Sequence, residues 1–149
     1  MIRIERTDSS HPDFQHLVAQ LDAYLAYLDG DDHAFYAQFN KSSTLKNILV
    51  AYSGETAVGI GAIRPYDDTA MEVKRMYVLP EHRGKGIASA ILKELENWST
   101  ELGYSKCILE TTHRQPEAIR LYQKSGYQSI PNYGQYENME DSVCFEKKL

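Results

Sequence analysis

Long apolar runs are missing from this sequence. None approaches the roughly 18 consecutive residues that a membrane-spanning helix needs. The first residues, Met1-Ile2-Arg3-Ile4-Glu5-Arg6, alternate like a strand and do not build the apolar stretch of a secretory signal. A cytoplasmic location is therefore expected, and the sequons Asn40-Lys41-Ser42 and Asn97-Trp98-Ser99 would stay unused. Cysteine is scarce: Cys107 and Cys144 stand far apart and form no C-x-x-C pair. Both lie in apolar, strand-like runs, so buried free thiols are expected in preference to a disulfide or a nucleophile. Positive charge is also short. The formal net charge of −5 speaks against nucleic acid as the partner and mildly favours a cationic one. Asp31-Asp32-His33 reads as a solvated turn, and no metal is expected. With no repeat, low-complexity tract or linker, the 149 residues fit a single domain spanning residues 1–149.

What is present is organised around Glu72 to Ala88. The run Glu72-Val73-Lys74-Arg75-Met76-Tyr77-Val78 reads as a strand that stops at Leu79-Pro80. Arg83-Gly84-Lys85-Gly86-Ile87-Ala88 follows, and a long amphipathic helix begins at once. Glycines let the backbone turn tightly and approach a ligand. The first N–H groups of a helix have no intrahelical acceptor, and with the helix dipole they favour an anion. The loop is neither a Walker A sequence nor a G-x-G-x-x-G fingerprint.

Around this core the periodicities predict a first strand at Ile2–Arg6 and a helix capped by Ser10. Phe14, Leu17, Val18, Leu21, Leu25 and Leu28 form the buried face of that helix. A short helix over His33–Asn40 follows, then strands at Asn47–Tyr52 and Thr56–Ile63 joined by a tight turn. Gly59 and Gly61 inside the second strand mark close backbone approach. The helix after the glycine turn should run from Gly84 to Leu102, burying Ile87, Ala88, Ile91, Leu92, Leu95, Trp98 and Leu102. Gly103 stands where a helix-ending residue belongs. A strand at Lys106–Thr111 makes a parallel crossover. A helix at Pro116–Ser125 and strands at Tyr127–Ile130 and Ser142–Lys147 complete the chain. The polar loop Pro131–Asp141 carries Tyr133 and Tyr136, which either line a pocket or sit on the surface.

Arg83, Gly86 and Ala88 occupy the fixed places of an R-x-x-G-x-A pattern. Set between a strand and a helix, it resembles the pyrophosphate-binding signature of the GNAT family of N-acetyltransferases. A second segment, Ala118-Ile119-Arg120-Leu121-Tyr122 through Gly126-Tyr127, is similar to the family's A-I-x-L-Y-x-x-x-G-[FY] run. The likeness extends over essentially the whole chain and is weakest before residue 45. It implies a mixed α/β (α+β) fold with a mostly antiparallel central sheet, splayed fourth and fifth strands, and flanking helices. It further implies acetyl-CoA as cosubstrate, with its arm paired like an added strand on Met76-Tyr77-Val78. Its pyrophosphate would lie on Arg83, Gly84, Lys85, Gly86, Ile87 and Ala88.

By the same resemblance Tyr122 stands near the thioester sulfur as the acid, against the alternative of a core tyrosine. The base is Glu72, Glu110 or water. Many relatives place an asparagine before the last helix, against the arm of the cosubstrate. Gln115 replaces it here and could reach the same atoms. The implied activity is acetyl transfer to a primary amine of a small molecule or peptide, by a monomer or homodimer. Its rivals are a non-catalytic acyl-CoA sensor and a nucleotide or phosphate binder.

Overall fold

The computed structural model describes residues 1–149. Its strands form one seven-stranded sheet in the order β1-β2-β3-β4-β5-β7-β6. They are β1 Ile2–Thr7, β2 Asn47–Ser53, β3 Thr56–Pro65, β4 Ala70–Val78, β5 Lys106–Thr112, β6 Gln128–Ile130 and β7 Ser142–Lys148. The helices are α1 Pro12–Asp29, α2 His33–Ala37, α3 Ile87–Glu101 and α4 Pro116–Lys124. β1 with β2, β2 with β3, β5 with β7 and β6 with β7 pair antiparallel. β4 and β5 pair parallel, as the intervening α3 requires. That pairing runs from Ala70↔Lys106 to Glu72↔Ile108. The mixed, mostly antiparallel fold class read from the sequence is the one found. No helix is long and apolar enough to cross a membrane.

The residues gather into two compact units, Met1–Arg64 with Val73–Leu95, and Pro65–Glu72 with Glu96–Leu149. In the first, Phe14, Leu17 and Leu21 of α1 share a core cluster with Ile48 and Val50 of β2, Ile60 and Ala62 of β3, and Tyr77 of β4. The β3 glycines make room for α3. A Cβ on Gly59 would stand 2.9 Å from Ile91 Cδ1, and one on Gly61 would stand 2.7 Å from Ile91 Cγ2. Glycine here serves close packing, as its place in a strand suggested. In the second unit, Cys107, Leu109, Cys144 and Phe145 are buried on the β5–β7 ladder, and both cysteines are free thiols. The Glu96 carboxylate, 4% exposed, accepts from Tyr127 Oη at 3.0 Å and Lys147 Nζ at 2.9 Å.

Several boundaries differ from the sequence reading. His11, not Ser10, caps α1: its Nδ1 accepts from the Asp13 amide at 3.0 Å. Ser10 turns instead to Asp8, donating both its amide and its hydroxyl to Oδ1. α2 stops at Ala37, short of Asn40. α3 starts at Ile87, because Gly84 and Gly86 both take positive φ values, +79° and +81°. Leu102 lies past the last turn of α3 and is exposed, while Trp98 is only half-buried.

β4 carries a backbone feature that its sequence does not advertise. Arg75 has φ +59°, the left-handed region, which costs a residue with a Cβ about 1–2 kcal/mol. In a regular strand Lys74 and Arg75 would point to opposite faces. Here both reach the segment that runs from α1 past α2. Lys74 Nζ donates to the Phe39 carbonyl at 3.0 Å, and Arg75 Nη2 pairs with Asp22 Oδ1 of α1. The Arg75 side chain is 1% exposed and that of Asp22 57%, so the cost of breaking the pair falls on the arginine. Asp22→Ala should lower stability by about 1–3 kcal/mol, read as a lower melting temperature, because it leaves a buried guanidinium without its carboxylate. Alanine is the better helix former. If the pair contributed nothing, the variant would melt a little higher than the parent.

Candidate functional site

The first unit contains the glycine loop. β4 ends at Val78, and a single 3₁₀ turn, Pro80–His82, leads to Arg83. The first hydrogen bond of α3 runs from the Ala90 amide to the Gly86 carbonyl at 3.1 Å. The amides of Ile87, Ala88 and Ser89 therefore have no intrahelical acceptor. A Cβ built on Gly84 or Gly86 would meet nothing within 4 Å. The glycines are there for their backbone angles, and the face they present is open. Side chains here would stand in that open face, and free amide donors at a helix start are the kind of group that binds an anion.

Arg83 is held in place by its neighbours. Its Nε donates to the Val78 carbonyl at 2.8 Å. Its guanidinium carbon lies 5.5 Å from the Tyr77 ring centre and 5.8 Å from that of Tyr24, within cation–π range. The arginine of the motif thus braces the end of β4 and the turn. Of the other predicted cosubstrate contacts, Tyr77, Val78 and Ile87 are buried, Met76 and Ala88 are half-buried, and Lys85 is exposed.

The second unit contains the candidate acid and bases. Tyr122 lies on α4 and is 6% exposed. Its ring packs against Tyr127 and Phe145, with centroids 5.9 and 6.2 Å away. Burial first, and then the Glu110 charge, push its phenol well above the ordinary tyrosine range. No protein group hydrogen-bonds its hydroxyl. Glu110, half-buried on β5, accepts from Ser142 Oγ at 2.7 Å. Glu72 is 3% exposed and accepts from Tyr133 Oη at 2.6 Å. The register places the two carboxylates on one face of the sheet, since Glu72 pairs with Ile108 and Glu110 lies two residues further along β5. Gln115 occupies the N-cap position of α4 but makes no side-chain cap bond.

Sequence reading missed part of this arrangement. It left Tyr133 and Tyr136 undecided between pocket and surface, yet Tyr136 is 2% exposed and Tyr133 reaches Glu72. Burial, followed by the charges of Glu110 and Glu72, holds the Tyr136 phenol above its usual range. Tyr66, which follows the end of β3, meets Tyr133 edge-on at 5.1 Å. Burial also pushes the Cys144 thiol up to about 11, so it is no thiolate near neutrality.

Residues 11–127 match the Acetyltransferase (GNAT) family. An IAA acetyltransferase of Azospirillum brasilense is 33% identical over 136 residues, which are 89% of this chain and 88% of that protein. A crystal structure from Klebsiella pneumoniae, provisionally named an acyl-CoA N-acyltransferase, superposes with a TM-score of 0.84 at 31% identity, covering 100% of this chain and 98% of that one. An uncharacterised N-acetyltransferase of Schizosaccharomyces pombe is 35% identical over 91 residues, 60% of this chain and 55% of its own. The chain thus spans about half the length of some curated relatives that it matches. The glycine loop at the start of α3, the parallel β4–β5 crossover and these likenesses agree, and the chain belongs to the GNAT family of acetyltransferases.

Proposed function

We propose that this chain is an acetyl-CoA-dependent N-acetyltransferase that places an acetyl group on a primary amine of a small molecule or peptide. The observation that carries this reading is the open pair of positive-φ glycines, Gly84 and Gly86, at the start of α3 in a chain of this family. Acetyl-CoA brings the activated acetyl thioester. The amides from Gly84 to Ala88 and the Lys85 ammonium would hold its pyrophosphate, and the backbone of Met76-Tyr77-Val78 would pair with its arm. Val78 has already given its carbonyl one partner, Arg83.

The residues then divide the proton work. Glu72 takes a proton from the acceptor ammonium, since only a neutral amine has a lone pair to attack. The nitrogen bonds to the acetyl carbon as the carbon–sulfur bond breaks. The nitrogen sheds its surplus proton to Glu110 or water, and the sulfur leaves with a hydrogen bond or a proton from Tyr122. The test is thiol release from acetyl-CoA by the purified protein, across polyamines, amino acids, aminoglycosides and peptides. Tight acetyl-CoA binding with no release for any amine would argue for a sensor instead.

Glu72→Gln should lower turnover by roughly 10²-fold or more near neutral pH, and the deficit should shrink as pH nears the amine's own pKa. Glutamine keeps an acceptor for Tyr133, so the local hydrogen bond survives. Rates measured across pH decide the point: a uniform drop indicates positioning, and no drop moves the base to Glu110 or water.

A further inference from the structure

We infer that Tyr133 is a positioning residue for the base: its hydroxyl clamps one oxygen of Glu72 and fixes the plane in which that carboxylate meets the acceptor amine. The inference rests on the reading of Glu72 as base. Tyr133 lies 61 positions away in sequence and reaches Glu72 Oε2 at 2.6 Å, a short, charge-assisted contact. Glu72 is only 3% exposed, so bulk solvent does little to orient its carboxylate, and the Tyr133 hydroxyl is a protein donor placed to do so.

The donor is itself fixed. The Tyr133 ring meets Tyr66 at 5.1 Å and 73° on one side and Tyr136 at 5.8 Å and 88° on the other, both edge-on. Its loop is tied near the neck, where Asn132 Nδ2 donates to the Met139 carbonyl at 3.0 Å. Further on, Asp141 pairs with Arg114 at 2.7 Å and accepts the His113 amide at 2.9 Å. Burial, then the charge of Glu72, keep the phenol protonated, so it donates and does not accept. The proton that Glu72 removes never passes through Tyr133. The tyrosine's proton stays on its own oxygen, and its effect is on geometry alone.

The experiment is a double-mutant cycle of Tyr133→Phe and Glu72→Gln, with kcat, the acceptor KM, acetyl-CoA affinity and a melting curve for each protein. Phenylalanine retains both ring contacts, and the melting curves verify that every variant is folded. Tyr133→Phe should lower kcat about tenfold with little change in acceptor KM or acetyl-CoA affinity, since a misaligned catalytic group costs rate. In the Glu72→Gln background the same change should have almost no further effect on kcat, because the group it positions no longer acts as a base. A full tenfold drop in both backgrounds would overturn the inference, as would wild-type kcat in Tyr133→Phe or a change confined to acceptor KM. Wild-type turnover in Glu72→Gln would instead remove the base itself, and the clamp with it. The two failures are therefore read from different proteins.

Discussion

Tyr122→Phe should bind acetyl-CoA as the wild type does and turn it over about 10²- to 10⁴-fold more slowly, the range typical of a lost general acid. α4 enters at Pro116, and its Ala118 and Ile119 lie one turn before Tyr122, on the same side of the helix. The ring is wedged by Tyr127 and Phe145, so its direction is set by packing. A core tyrosine of this kind normally finds a partner for its hydroxyl. This one has none among the protein groups, which leaves the O–H for a ligand. Burial and the nearby Glu110 raise its pKa, so it stays protonated far into the alkaline range. The same shift makes full proton transfer harder. Its main contribution should be a hydrogen bond that strengthens as negative charge grows on sulfur, and that interaction exists only in the transition state. Steady-state rates and calorimetric affinity on one preparation give the answer. An unchanged kcat would return Tyr122 to the core.

The element order was legible in the sequence because periodicity is local. The apolar spacing of α1 and α3, the tight turns at Gly54 and Gly103, and the strand–glycine–helix order before Ile87 each depend on neighbours within a few residues. What was not legible depends on distance or on competition. Ser10 and His11 are both plausible caps, and Asp8 decides between them by accepting the Ser10 amide and hydroxyl. Arg75 lies inside a run that reads as plain strand. It takes a positive φ, and its side chain pairs with Asp22, 53 positions away. Glu72 was named as one candidate base, beside Glu110 and water, from the resemblance to the family. Its tyrosine partner was not found, because no local pattern links Tyr133 to β4. The aromatic row of Tyr66, Tyr133 and Tyr136 comes from two loops whose sequences show only polarity and turn residues.

Gly86→Val should cost about 10²- to 10³-fold in acetyl-CoA affinity while the protein still folds. Gly86 has φ +81°, where a β-branched residue is strained by about 1–2 kcal/mol even in isolation. Space is not the obstacle, since a Cβ at this position would meet no protein atom within 4 Å. The valine therefore has two outcomes, and both remove the site. If the backbone holds its angle, the isopropyl group stands in the open face where a phosphate would approach the amides of Ile87 and Ala88. If the backbone relaxes to negative φ, the loop turns those amides away and their charge-assisted hydrogen bonds are lost, at roughly 1.5–3 kcal/mol each. Losing the bonds from both the Ile87 and Ala88 amides costs about 3 kcal/mol or more, and each 1.4 kcal/mol is tenfold in affinity. The fold bears the strain only at the entry to α3. The helix itself is anchored further along by Ile91 against Gly59 and Gly61, and by Leu92 and Leu95 in the core. Calorimetric titration with acetyl-CoA beside a melting curve separates the two effects. Gly86→Ala serves as the intermediate case: it shares the backbone strain but adds only one carbon to the open face. Its affinity should fall between those of the parent and the valine variant. Parental affinity in both variants, with normal melting, would place the pyrophosphate somewhere other than this loop.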